Sequence, residues 1–256
     1  MGGVPLAYAN TRPASQGDPI LHQAGKSYVP NNRFGVRLRQ LERVVVRRLG
    51  GRSERDVETD FVKRHIPGRG LKLLDIGGVG SSLAWDLAHE GNAVTVCDVL
   101  PYPGKHQNLS LAQGDFLKWD FGRAVFNAVI LLSTIEHVGF GHYGDPVVED
   151  GDRVAMRKVR QLLKPRGQVI LTTPFTGQTR VIEGFERWYD LSRLADLLSG
   201  FRLLVSEFWV PKFWFLGRCV KWARASAEEA ANTEALYHYH ATACVVAEKP
   251  NDEGSE

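Results

Sequence analysis

The chain has 256 residues, 43% hydrophobic and 24% charged, which suits one α/β domain with additions and a full core. No apolar run approaches a membrane span and the first residues lack the basic start and apolar core of a signal peptide, so a cytoplasmic location is expected. The net charge of +3 hides an asymmetry: residues 1–70 hold 13 Lys and Arg against six Asp and Glu, whereas the remainder holds 19 against 23. Cys97, Cys219 and Cys244 are too few and too widely spaced for a metal pattern, and read as reduced thiols.

Residues 1–32 are rich in Gly, Pro, Ser, Asn and Gln without periodicity, and are expected to form a flexible arm. Residues 33–70 follow as a basic helical extension. Arg33–Arg48 places Phe34, Leu38, Leu41 and Val45 on one helical face, with Arg37, Arg43, Arg47 and Arg48 largely elsewhere. This amphipathic helix reads as a cap packed on the next domain; substrate gating, RNA contact and peripheral contact with an anionic membrane are the alternatives. A second helix is expected over Glu54–His65, and Pro67, Gly68 and Gly70 mark a linker into the domain 71–250.

Leu71–Asp98 contains one complete strand, loop, helix, strand unit. Leu71, Leu73, Leu74 and Ile76 form the short apolar run of a strand buried on both faces, which stops at Gly77, Gly78 and Gly80. Ser81 and Ser82 are placed to cap the next helix, whose Leu83, Ala84, Leu87 and Ala88 recur at helical spacing until Gly91 and Asn92. Ala93–Cys97 is a second buried strand ending in Asp98. A parallel sheet sets the glycine loop and Asp98 side by side at its carboxyl edge, where such sheets bind ligands. The loop lets a ligand approach the backbone, and an Asp98 carboxylate can accept both hydroxyls of a ribose.

The dinucleotide fingerprint fits poorly, because Gly78-x-Gly80-x-x-Leu83 carries Leu where close packing wants Gly or Ala. Asp75 followed by a short glycine turn instead resembles motif I of the class I S-adenosylmethionine (SAM) methyltransferases, with Val79 and Ser81 standing where that family usually has glycine. The resemblance implies a Rossmann-like, mostly parallel α/β sheet whose last strand is antiparallel. It implies SAM as cofactor, held by Asp75, Gly77, Gly78 and Gly80, with Asp98 on the ribose.

Further along, Leu109–Gln113 reads as a third strand leading into Asp115 and Phe116, which the resemblance assigns to the adenine amino group and ring. Ala128–Leu132 is the next buried strand, running into Ser133-Thr134-Ile135-Glu136-His137-Val138. This is similar to the motif after the fourth strand of small-molecule methyltransferases, so Ser133 joins the cofactor residues. Glu136 and His137 are the candidate catalytic pair, with His137 as general base. Some relatives hold a metal here through two acids and a His; Ser133 occupies the first acid's place, so no metal is expected.

The glycine-rich, acidic stretch Gly139–Arg153 resembles a methyltransferase-like family found among polysaccharide-biosynthesis proteins, as do Arg187 and Tyr189 before the helix Asp190–Leu198. His142, Tyr143, Arg187 and Tyr189 are therefore the expected substrate contacts. Val154–Leu163 supplies a helix, Leu163-Lys164-Pro165-Arg166-Gly167 a turn, Gln168–Thr173 a strand and Pro174–Arg187 a loop. Phe201–Val210 and Ala241–Glu248 are the expected antiparallel pair.

Between those two strands lies an aromatic insertion, residues 211–240, expected as a lid or as a surface packed on the N-terminal helix. Four motifs in the family's order imply a methyltransferase for a small molecule, sugar or glycolipid, with oxygen preferred to nitrogen as acceptor. An RNA-binding or RNA-modifying protein and a catalytically silent scaffold are the alternatives.

Overall fold

A computed structural model of the chain describes residues 51–215, 218–233 and 240–251. The expected arm and the basic helix at 33–48 lie outside the described residues, as do Tyr237, His238 and Tyr239.

The element that precedes the sheet is α1 (Glu54–His65), closed at its start by a capping box between Ser53 and Asp56. β1 (Lys72–Ile76), α2 (Leu83–His89) and β2 (Ala93–Asp98) follow as the expected unit, with a single 3₁₀ turn over Gly78–Gly80. β3 (Leu109–Gln113) and β4 (Phe126–Leu132) continue the sheet. A second 3₁₀ turn, Ile135–His137, leads through the glycine-rich loop to α3 (Gly151–Leu162) and β5 (Leu163–Phe175). The chain closes with β6 (Arg180–Ile182), β7 (Glu186–Trp188), α4 (Leu191–Leu197), β8 (Arg202–Phe215), β9 (Arg218–Ala225), α5 (Ala227–Ala231) and β10 (Ala241–Glu248).

The main sheet runs β3-β2-β1-β4-β5-β10-β8-β9. β1 to β5 are mutually parallel, and β10 inserts antiparallel between β5 and β8. Strand order reverses at β1, so the crevice between the carboxyl ends of β1 and β4 is where this topology places a ligand. Helices cover both faces. On one, Phe61 and Val62 of α1 and Leu83 and Leu87 of α2 pack on Leu73, Val94 and Ile130. On the other, Met156 and Val159 of α3 and Leu194 of α4 pack on Leu74, Leu131 and Val169. A fully buried side chain of this size stabilises the fold by about 1.5–3 kcal/mol, so α1 is anchored chiefly by Phe61 and Val62.

Three local expectations change. The turn at Lys164-Pro165-Arg166-Gly167 lies within β5: Leu163 already pairs with Phe126, and a register shift absorbs the extra residues before Gln168 meets Ala128. The loop Pro174–Arg187 contains a two-stranded hairpin, β6 with β7, which periodicity missed because each strand is three residues long. In its described part the insertion expected as a lid enlarges the sheet. β8 runs on past Val210 and β9 folds back along it as the edge strand, whose exposed Lys221 and Arg224 discourage further pairing. Trp222 of β9 is buried against Val57 of α1, with Trp209 beside them. Cys97 and Cys244 are buried free thiols.

Candidate functional site

The glycine loop after β1 is shaped by two close approaches. Gly77 has a φ of +74°, a conformation that favours glycine, and a Cβ there would overlap the Thr134 side chain that follows β4. Gly78 covers the Asp75 carboxyl so closely that a Cβ would overlap it. Gly80 faces open space, and Ser81 sits at an ordinary φ of −135°. This explains the departures at Val79 and Ser81: neither position requires the missing Cβ that the family pattern supplies. Val79 donates its backbone N–H to Asp98 Oδ2 at 3.0 Å, and Ser81 Oγ accepts from the N–H of Leu83 at 3.2 Å. Ser82 makes no side-chain cap.

Asp75 is 1% exposed, and neither of its carboxyl oxygens has a hydrogen-bond partner. Burial, reinforced by the nearby charge of Asp98 and opposed by that of Arg55, raises its pKa to about 7. Asp98 is better satisfied: besides Val79, the N–H of Leu100 donates to Oδ1 at 2.9 Å, leaving each oxygen a further lone pair. At the end of β3, Asp115 Oδ1 accepts from the N–H of Leu117 at 2.9 Å, whereas its buried Oδ2 has no partner. Phe116 is buried beside it, with the Lys158 ammonium 5.2 Å from its ring centre.

After β4 the chain turns sharply, with Ser133 at a φ of +47°. Ser133 donates its Oγ proton to Glu58 and its backbone N–H to Thr172 Oγ1 at 3.0 Å. Thr172 in turn donates to Glu58 Oε1 at 2.7 Å. A 3₁₀ turn advances about 120° per residue, so Glu136 and His137 diverge. Glu136 turns into the protein, 2% exposed and 3.5 Å from Thr173 Oγ1, where burial holds its carboxyl well above the usual range. Buried and turned away from His137, Glu136 does not face a common acceptor with it, as a catalytic pair would.

His137 points elsewhere. Its Nδ1 lies 2.8 Å from the carbonyl oxygen of Phe185, an atom that only accepts, so Nδ1 carries the proton and Nε2 has a lone pair. Burial lowers its pKa to about 4, against the bond to Phe185, which raises it. The rings of Tyr143 and Phe185 lie 5.4 and 5.2 Å away, and that of the exposed His142 stacks at 6.5 Å. Two of the expected substrate residues thus gather around the expected base.

The other two do not. Arg187 is 7% exposed: it donates to Val138 O at 2.7 Å, lies over the Phe140 ring at 4.1 Å and approaches Asp152 at 3.8 Å. Tyr189 is fully buried with its hydroxyl 3.2 Å from Asp152 Oδ2, and Arg193 also donates to both Asp152 oxygens. Arg187 and Tyr189 therefore hold the glycine-rich loop instead of meeting an acceptor. The loop's Gly139 and Gly151 pass so close that a Cβ on either would strike the other's backbone.

Sequence reasoning missed the contribution of α1. Its first turns bring Glu54, Arg55 and Glu58 to the same sheet edge: Glu54 accepts from Thr242 Oγ1 at 2.6 Å, and Arg55 reaches Leu132 O at 3.4 Å. The available signal was Glu58 itself, a carboxylate in the buried stripe Val57, Phe61, Val62. Among the described residues no three His, Cys, Asp or Glu converge to hold a metal ion, and no helix is long and apolar enough to cross a membrane.

Solved structures share this fold. The 1,6-didemethyltoxoflavin-N1-methyltransferase of Burkholderia thailandensis superposes with a TM-score of 0.55 at 16% identity, covering 94% of each chain. The N-methyltransferase NodS of Bradyrhizobium japonicum WM9 gives 0.54 at 13% identity, over 77% of this chain and 97% of that one. A protein of Bacillus halodurans C-125 named as a methyltransferase gives 0.52 at 15%, over 76% and 99%. The fold is that of the class I methyltransferases. A family model described as a Caenorhabditis protein of unknown function, DUF268, matches residues 105–209, which span β3 to β8 and the loop around His142. No curated protein sequence matches the chain.

Proposed function

We propose that the protein is a SAM-dependent methyltransferase acting on a small-molecule, sugar or glycolipid acceptor, with a hydroxyl oxygen preferred. The observation that carries this reading is the meeting, at one sheet edge, of strand-end carboxyls with unpartnered oxygens, a glycine turn open at Gly80 and a neutral imidazole whose Nε2 has a lone pair. The residues fit SAM in three respects. The turn after β1 is open at Gly80, where nothing lies within 4 Å of a Cβ position and a ligand can approach the backbone. Buried oxygens of Asp75 and Asp115 lack donors, and SAM carries two amino groups, one on adenine and one on its amino-acid end. Asp98 retains acceptor capacity for the ribose hydroxyls.

When bound, SAM supplies an electrophilic methyl group on sulfur. The protein's part is to hold the acceptor in line and to take up its proton, and positioning of this kind supplies much of the rate. His137 suits the second task, because its low pKa keeps Nε2 unprotonated at neutral pH and the Phe185 carbonyl fixes the ring and tautomer. His142 and Tyr143, exposed beside it, form a polar and aromatic rim for a hydroxylated acceptor. The likeness of Gly139–Asp152 to the polysaccharide-linked family supports a sugar or glycolipid. Two of the structural neighbours are named as N-methyltransferases, so nitrogen is the second acceptor atom to test.

The test is transfer of labelled methyl from SAM to a panel of sugar, lipid-linked and amine acceptors, repeated with His137→Gln. Transfer to a hydroxyl acceptor with kcat reduced about 100-fold or more in the variant is expected, at unchanged S-adenosylhomocysteine affinity. An equally active variant removes His137 from the mechanism; transfer to amines alone moves the acceptor to nitrogen.

A further inference from the structure

The ionisable groups at the carboxyl ends of β1, β2 and β4 are mostly carboxyls. Asp75 is the last residue but one of β1, Asp98 closes β2, Glu136 follows β4, and Glu54 and Glu58 project from the first two turns of α1. Burial raises the pKa of Asp75, Glu54 and Glu136, and Arg55 is the cation that acts against it in all three. One guanidinium therefore sits among these carboxyls.

Its geometry leaves it half committed. Nη1 lies 3.4 Å from the carbonyl oxygen of Leu132 and 3.4 Å from Glu58 Oε2. A guanidinium has five N–H donors, so the Nε–H and the two Nη2–H groups remain for another acceptor. The side chain is 38% exposed, so a ligand can reach it. Leu132 ends β4, the neighbour of β1 across the point where strand order reverses. Two residues on, Thr134 packs against Gly77 and donates to Ile76 O at 3.0 Å, so Arg55 and the glycine loop border one crevice. The first turns of α1 are held firmly: Ser53 and Asp56 cap them, and Ser133 and Thr172 both donate to Glu58. Arg55 is delivered to the crevice by a rigid support.

An anion arriving at this edge meets a cation in the Arg55 guanidinium. A planar fork with free donors recognises a carboxylate bidentately, as an ammonium cannot. We infer that Arg55 is the recognition group for the carboxylate at the amino-acid end of the cofactor, an inference that rests on the reading of the crevice as a SAM site. α1 is then part of the binding site as well as a layer of the fold.

The experiment compares three ligands by calorimetry on wild type and Arg55→Gln. S-adenosylhomocysteine carries the carboxylate, its carboxamide keeps the ammonium but loses that charge, and 5′-methylthioadenosine lacks the amino-acid end altogether. The variant is expected to weaken S-adenosylhomocysteine by about 10- to 100-fold, while its affinities for the carboxamide and 5′-methylthioadenosine stay within about two-fold of wild type. Retained 5′-methylthioadenosine binding also reports that the variant is folded. Arg55→Lys, which keeps the charge without the fork, is expected to lie between. Equal loss for all three ligands, or no loss for S-adenosylhomocysteine, overturns the role of Arg55. Failure of the wild type to bind any of them overturns the SAM reading itself.

Discussion

Two glycines of one loop make the sharpest test of how this site is built. Gly78 and Gly80 look alike in the sequence, and neither has a positive φ, so alanine fits the backbone at both. The space differs. A Cβ on Gly78 would overlap the Asp75 carboxylate, lying 2.8 Å from its Cγ and 3.1 Å from Val96 Cγ1, whereas one on Gly80 meets nothing within 4 Å. Asp75 and Val96 are buried and cannot swing into solvent, so the loop or β1 must shift. Overpacking of this kind costs about 1–3 kcal/mol, which for a chain of this size lowers the melting temperature by roughly 2–10 °C. Gly80→Ala is expected within about 0.5 kcal/mol of wild type. Thermal and urea unfolding of both variants, with S-adenosylhomocysteine titrations alongside, decides the matter. Equal stabilities and affinities for the two variants, or a larger loss at Gly80, would refute the account of the loop.

Other consequences follow from the same geometry. Asp75 has a folded pKa of about 7 against an ordinary 3.8, so its burial costs nothing at low pH, and the penalty grows as pH rises through that interval. Asp75→Asn should therefore gain about 2–3 kcal/mol more, relative to wild type, at pH 8 than at pH 5, read by urea unfolding; a pH-independent difference contradicts it. His137, lowered to about 4, should keep neutral-imidazole ¹⁵N shifts down to pH 5, and a midpoint near 6.5 would show that the ring is solvated. Arg187→Met leaves Asp152 short of a cationic neighbour in a buried setting and should destabilise the fold by about 2–4 kcal/mol. Full stability with a raised KM for acceptor would restore Arg187 to the substrate site.

Much of the fold was legible because its strands are buried on both faces and its helices on one. The unit Leu71–Asp98 shows this: four apolar residues, three glycines and a helical repeat have few other solutions. Ala241–Glu248, buried along its whole length, was equally clear, whereas Leu109–Gln113, an edge strand with one buried residue, gave a weaker signal. The hairpin of β6 and β7 was not legible, since three-residue strands carry no period. At the site, Asp75, Asp98, Asp115 and His137 do lie at or just beyond the carboxyl ends of strands, because topology fixes location there. Sequence reasoning misplaced Glu136, Arg187 and Tyr189, because a motif names neighbours in sequence while a 3₁₀ turn or a buried Asp152 decides which way each side chain faces. The role of α1 was hidden for a related reason. Glu54, Arg55 and Glu58 read as ordinary helix-surface charge until Ser133, Thr172 and Thr242 are seen opposite them.

The most direct measurement is calorimetric titration of the folded protein with S-adenosylhomocysteine, beside an Asp98→Ala variant and an NAD control. The account predicts saturable S-adenosylhomocysteine binding that weakens about ten-fold or more in the variant, with no response to NAD. Binding of NAD, or no S-adenosylhomocysteine binding by a protein with a cooperative melting transition, would contradict the central claim.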